Sequence, residues 1–196
     1  MTKTPEFFEK FGFKKMGETF YVYKVKSREL KLKVKEYNNK YLNDLMDVYH
    51  KTNKKLNISF IRSKWYFERF MKYMHHKDSK DQVFLFFNKD KLEGYVIINP
   101  RAEHKLLEVR EISAFNNETY KEIFNFIGNK CKENGFEKAG GHLIREHPFY
   151  DVIKDNIIDK IKFEDKSSLF KQCLMINNFK NIKFPEEVLC WKTDHF

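Results

Sequence analysis

The chain has 196 residues, 21 of them Phe, and is 41% hydrophobic, which suits one packed core with a short appendage and excludes a disordered polymer. The longest apolar runs, 83–87 and 95–98, are too short to cross a bilayer, and no apolar stretch follows the opening Met-Thr-Lys-Thr-Pro-Glu, so a cytoplasmic protein without a secretory leader is expected. The net charge of +10 is spread as Lys along the whole chain. No Arg-rich block or nucleic-acid signature accompanies it, so a solvated surface is the simpler reading and a basic nucleic-acid-binding module the weaker one.

Taken in order, 20–26 alternates apolar and polar residues and reads as a strand, as does 30–36 with Leu32 and Val34 between lysines. Asn38 or Asn39 caps a helix to about Lys51, and Ser63 caps a second to about Met74. Segments 82–88 and 92–99 flank Lys89-Asp90-Lys91 as a hairpin. Both are nearly continuously apolar, which predicts central strands. After Pro100 and Ala102 comes a strand at about 106–113. Asn116 or Asn117 then caps a long helix to about Asn134, closed by Gly135. A short strand at 139–144, a short helix from Pro148 to about Asp155 and a last long strand at 169–176 follow. Strands followed by one long crossover helix point to an α/β protein with a mixed sheet and helices on both faces.

That order resembles the GNAT acyltransferase superfamily. The segment 5–19, with Phe8-Glu9-Lys10-Phe11-Gly12-Phe13, looks like the last helix and turn of one such domain, closed by the strand 20–26. A second, complete order runs from about Leu30 to Ile176. The resemblance therefore implies a tail of one domain (1–27), a full domain (28–180) and a C-terminal tail (181–196), as in the later part of a tandem acetyltransferase. Strand 20–26 is expected at the sheet edge or in a neighbouring subunit. Phe7, Phe8, Phe11 and Phe13 need burial, which favours a homodimer or a partner GNAT domain. Trp191 and Phe196 are expected to dock on the domain or a partner.

The family implies acyl transfer from acetyl-CoA to an amine, with no metal. The pyrophosphate would rest on backbone N–H groups at the long helix's N-terminus, where unpaired donors and the helix dipole favour an anion. Carried onto this chain, the cofactor positions are Ser113, Ala114, Asn116, Asn117 and Thr119. The family's glycine loop is absent here, and Glu118 brings a negative charge toward two phosphates, so weak binding or none is expected. The same stretch is also a plain helix N-cap with an acid in the first turn.

For acid–base work the resemblance offers Tyr150 as the acid that protonates the leaving thiolate, and Glu111 or Glu108 as the base. In a regular strand Glu108 and Glu111, three apart, face opposite sides, so only one reaches the cleft. Both are equally readable as ion-pair residues, Arg110 as the partner of an acid on a neighbouring strand, and Tyr150 as a ring packed on the sheet. His142, His147, Glu146 and Tyr150 form a possible polar cluster, His75-His76 ends the second helix, and Cys131 is a core residue. The cysteines at 131, 173 and 190 show no zinc or disulfide spacing. An acyltransferase with a degenerate phosphate site and a non-catalytic scaffolding or dimerisation module are the two leading functions. The acceptor amine cannot be named from these residues.

Overall fold

In the computed structural model the described residues are 10, 13–16, 19–54, 56, 62–74, 79–162 and 174–177. Their strands are β1 (Phe13–Met16), β2 (Thr19–Lys24), β3 (Lys33–Glu36), β4 (Gln82–Asn88), β5 (Lys91–Arg101), β6 (Leu106–Ala114), β7 (Lys138–His142), β8 (Ile157–Lys162) and β9 (Leu174–Asn177). The helices are α1 (Leu42–Asn53), α2 (Lys64–Met74), α3 (Asn117–Glu133) and α4 (Pro148–Ile153). A seven-stranded sheet has the order β3-β4-β5-β6-β7-β2-β8, and β1 pairs with β9 in a separate two-stranded ribbon. All neighbours in the large sheet are antiparallel except β6 and β7.

Local chemistry sets these limits. The Asn116 side chain accepts from Thr119 N–H at 2.8 Å and starts α3. Gly135, at φ 70°, ends it in the left-handed region that suits glycine. Ser63 Oγ accepts from Tyr66 N–H at the start of α2, and the His147 side chain accepts from Phe149 N–H at the start of α4. The hairpin turn is two residues, Lys89-Asp90, because Asn88 pairs with Lys91.

Side-chain alternation gives the sheet two packed faces. Phe84 and Phe86 meet Phe126 of α3, with ring centroids 4.7 and 5.3 Å apart. The opposite face carries Leu85, Tyr95 and Glu111, and α1 and α2 cover it. Both hairpin strands are buried and central, as their apolar runs predict. Strand β2 departs from expectation: it is not an edge strand. It pairs with β7 along one edge and β8 along the other, which satisfies the backbone groups of its buried residues Thr19 to Tyr23. Strand β8 carried no recognised signal. Its Ile-Ile-Asp-Lys-Ile-Lys is short and mixed. The segment with Phe7 and Phe8, the His75-His76 pair, residues 169–173 and the tail with Trp191 and Phe196 lie outside the described residues.

Strands β6 and β7 pair only over Leu106–Val109 and Lys138–Gly141. Beyond Val109, β6 runs on to Ala114 against β5 alone, so the two parallel strands part there. Gly141 marks the fork. A Cβ at this position would lie 2.4 Å from the Val109 carbonyl oxygen, so close backbone approach needs glycine. Gly141→Ala is expected to lower the unfolding free energy by about 1–3 kcal/mol, the usual cost of overpacking, measured by urea denaturation.

Candidate active-site region

The register of β5 on β6 decides where the acidic residues go. Ile97 faces Glu111, but Ile98 faces Val109, so one step on β5 spans two on β6 and Arg110 is the extra residue. Asn99 in turn faces Glu108. Ile97 and Asn99 are two apart and share a face, so Glu108 and Glu111 share it too. The expectation that they diverge fails because it assumed a regular strand.

Neither carboxylate is open. Arg62 donates to both oxygens of Glu111, at 2.9 and 2.8 Å, and both side chains are fully buried. Tyr95 also donates its hydroxyl to Glu111. Burial, and after it the Glu111 charge, push the Tyr95 phenol well above its ordinary range, so it remains a donor. The Arg62 guanidinium lies 4.3 Å from the centre of the Tyr49 ring and 5.4 Å from those of Phe67 and Phe70. Arg62 was not legible as a site residue. Its only local signal is a position just before the Ser63 cap.

Further down the same face, Glu108 accepts from Arg101 at 2.7 Å and Arg110 pairs with Asp81, which immediately precedes β4. The acid partner foreseen for Arg110 is thus present, although Asp81 sits two strands away.

A cleft of about 650 Å³ opens where β6 gives way to α3. Lys51, Thr52 and Lys54 from the end of α1 form one wall, and Ala114, Asn116, Asn117 and Tyr120 form the other, with Glu146 and Pro148 at the rim. Of the expected cofactor positions, Ala114, Asn116 and Asn117 line this cleft. Ser113 is buried in the sheet on the α1 and α2 face, and Thr119 is buried beside Gly94. The Asn116 side chain occupies the Thr119 N–H, removing one of the helix's open donors. Glu118 does not enter the cleft. Its side chain is 81% exposed and pairs with Lys121 at 2.7 Å, which screens its charge from a ligand at this turn. Lys121 holds the Glu118 carboxyl below its ordinary range.

The fork itself is filled. Tyr23, Val109, Ile112, Leu143, Phe149 and Ile153 leave about 10 Å³ between them, at the lower limit of what one water needs. Phe149, not Tyr150, points into this space. Tyr150 sets its ring edge against Tyr21, at 5.4 Å, on the β2 side. His142 packs on Phe20 and His147 on Tyr120. Cys131 is buried in the core as foreseen, and burial pushes its thiol up to about 12. Among the described residues no cluster of His, Cys, Asp or Glu has metal-ligand form, and no helix is long and apolar enough to cross a membrane.

Solved structures share this architecture. A GCN5-related N-acetyltransferase from Kribbella flavida superposes with a TM-score of 0.62 at 12% identity, over 81% of this chain and 39% of that one. One from Anabaena variabilis gives 0.61 at 14% identity, over 81% and 42%. A probable N-acyltransferase from Enterococcus faecalis gives 0.56 at 17% identity, over 70% and 35%. The chain thus spans about two fifths or less of the length of these structures. No protein-family model and no curated protein matches the sequence. The chain has the GNAT-type N-acyltransferase fold.

His147 is fully buried, and desolvation depresses its imidazole from 6.5 to about 3. Between those values the unfolded chain binds a proton that the folded chain does not, so stability falls as pH drops through 6.5 and levels off below about 3. His147→Asn keeps a side-chain acceptor for Phe149 N–H and removes the titration. From pH 7 to pH 5 the parent is expected to lose about 2 kcal/mol more than this variant, read from urea unfolding at each pH.

Proposed function

We propose that this chain is a GNAT-fold unit that does not itself transfer acyl groups and acts as a non-catalytic companion unit in a larger acyltransferase assembly. The observation that carries this reading is the filled fork. In an active unit of this fold the acyl-CoA arm must enter the opening between the parted strands, and here Phe149, Leu143 and Ile153 occupy it. The chemistry agrees. A general base must reach the acceptor's proton, directly or through one water, but Glu111 is held by Arg62 and Tyr95, and Glu108 by Arg101. Tyr150 as thiolate acid would have to leave Tyr21 and exchange places with Phe149.

One observation favours a second reading, acyl transfer from an acyl-CoA to an amine. The α3 cleft is open and set at a helix N-terminus, with Lys54 in its wall and Lys51 paired with Asp47, and Glu118 does not line it. If that cleft holds the CoA phosphates, the fork must open to admit the thiol arm. Titration calorimetry with acetyl-CoA separates the two readings. The companion-unit reading expects no binding tighter than about 1 mM and no acyl transfer to a panel of amines. Micromolar binding with turnover reverses it, and then Tyr150→Phe should lower kcat while leaving cofactor affinity nearly unchanged.

A further inference from the structure

A second polar cavity, of about 360 Å³, lies at the other end of the sheet near the end of α2. Its wall carries Lys80, Asp81, Asn99, Arg101 and Arg110, with Tyr73 at one side. Of these cations Arg101 is already paired with Glu108 at 2.7 Å, which leaves Lys80 and Arg110 against Asp81.

The hydrogen bonds in this wall leave a specific gap. Asp81 is satisfied three times: Arg110 Nη1 and Ser79 Oγ donate to Oδ2, and Asn99 Nδ2 donates to Oδ1 at 2.7 Å. That bond fixes the Asn99 amide, because Nδ2 must face Asp81 and Oδ1 must face away from it. Asn99 is only 5% exposed. Among the described residues neither Asn99 Oδ1 nor Arg110 Nε, both buried, has a partner. A buried acceptor and a buried donor left open together are costly, and such groups in native proteins almost always have a counterpart. With Nη1 committed to Asp81, the guanidinium edge that remains is the Nε side, whose parallel N–H groups match a carboxylate. The adjoining open acceptor on Asn99 asks for an N–H or O–H donor.

We propose that this cavity binds a small carboxylate that carries an adjacent donor, of the α-amino or α-hydroxy acid class. The carboxylate takes the open edge of Arg110, within the field of Lys80, and the neighbouring ammonium or hydroxyl donates to Asn99 Oδ1. A phosphate dianion matches less well: its single P–OH meets Asn99 Oδ1, but it places a second negative charge beside Asp81. A plain carboxylate such as acetate leaves Asn99 open, and a plain amine leaves Arg110 open. The volume is at the small end of ligand pockets, roughly 300–1,000 Å³, which suits a molecule of this size. No residue of the α3 cleft or the fork takes part, so the proposal does not rest on the companion-unit reading.

The test is calorimetry on the full chain with the twenty common L-amino acids and a set of 2-hydroxy acids, with acetate, inorganic phosphate and ethylamine as controls. At least one amino or hydroxy acid is expected to bind with Kd below about 1 mM, and each control at least tenfold more weakly. Arg110→Lys keeps a positive charge for Asp81 but removes the planar fork, and should weaken binding at least tenfold. If that variant does not fold, Lys80→Ala at the exposed rim should weaken binding by about threefold, as the loss of one nearby charge predicts. The proposal is overturned if no member of the panel binds, if phosphate or acetate binds as tightly as the best acid, or if the folded variants bind as the parent does.

Discussion

The bulge at Arg110 is the constraint on which the rest of the site depends. One additional residue in β6 shifts the register against β5, and three consequences follow from that single step. Glu108 and Glu111 come onto one face. Arg110 turns toward Asp81 at the head of β4. Strand β6 stops pairing with β7 at Val109, the residue just before the bulge. Bulges bend a strand and raise its twist, so the parting of the two parallel strands is a mechanical result of this local geometry.

The space so created is filled on both faces of the sheet. On the α1 and α2 face the space goes to a buried ion pair, with Arg62 enclosed by Tyr49, Phe67 and Phe70 and both its charged partners out of water. Taking two charges out of water is expensive, and mutual attraction offsets the cost only when the geometry is good and every polar atom is matched. Here the pair is bidentate and Tyr95 adds a third donor to Glu111. On the α3 face the fork goes to Phe149, Leu143 and Ile153, which join the main core. Both sides of the opening are therefore used for stability, and the α3 cleft and the Arg110 cavity are polar openings away from it.

Most of the fold was legible in the sequence because its signals are local. The caps at Ser63 and Asn116, the Gly135 stop and the continuous apolar hairpin strands each report a nearest-neighbour preference. The place of β2 was not legible, because its alternation says that it is a strand but not which strands it pairs with. The ionisable residues around the fork were legible as residues, and their arrangement was not. Glu108, Glu111, Arg110 and Tyr150 were recognised, yet a one-residue bulge leaves no signature in Glu-Val-Arg-Glu, and period-two counting placed the two acids on opposite faces. Arg62 was missed because its role depends on a contact 49 residues away along the chain. Phe149 and Tyr150 are adjacent, and only the packing of α4 decides which of them enters the fork.

The central claim is that Glu111 is a structural partner of Arg62 and not a base held in reserve. A double-mutant cycle on this pair, read by urea unfolding with acyl transfer assayed in parallel, tests it most directly. Removing one member of a buried pair strands the other charge, so Arg62→Met and Glu111→Gln should each cost about 3–5 kcal/mol, and the double variant much less than their sum. Single variants that are as stable as the parent, with Glu111→Gln abolishing a measurable transfer activity, would contradict the account.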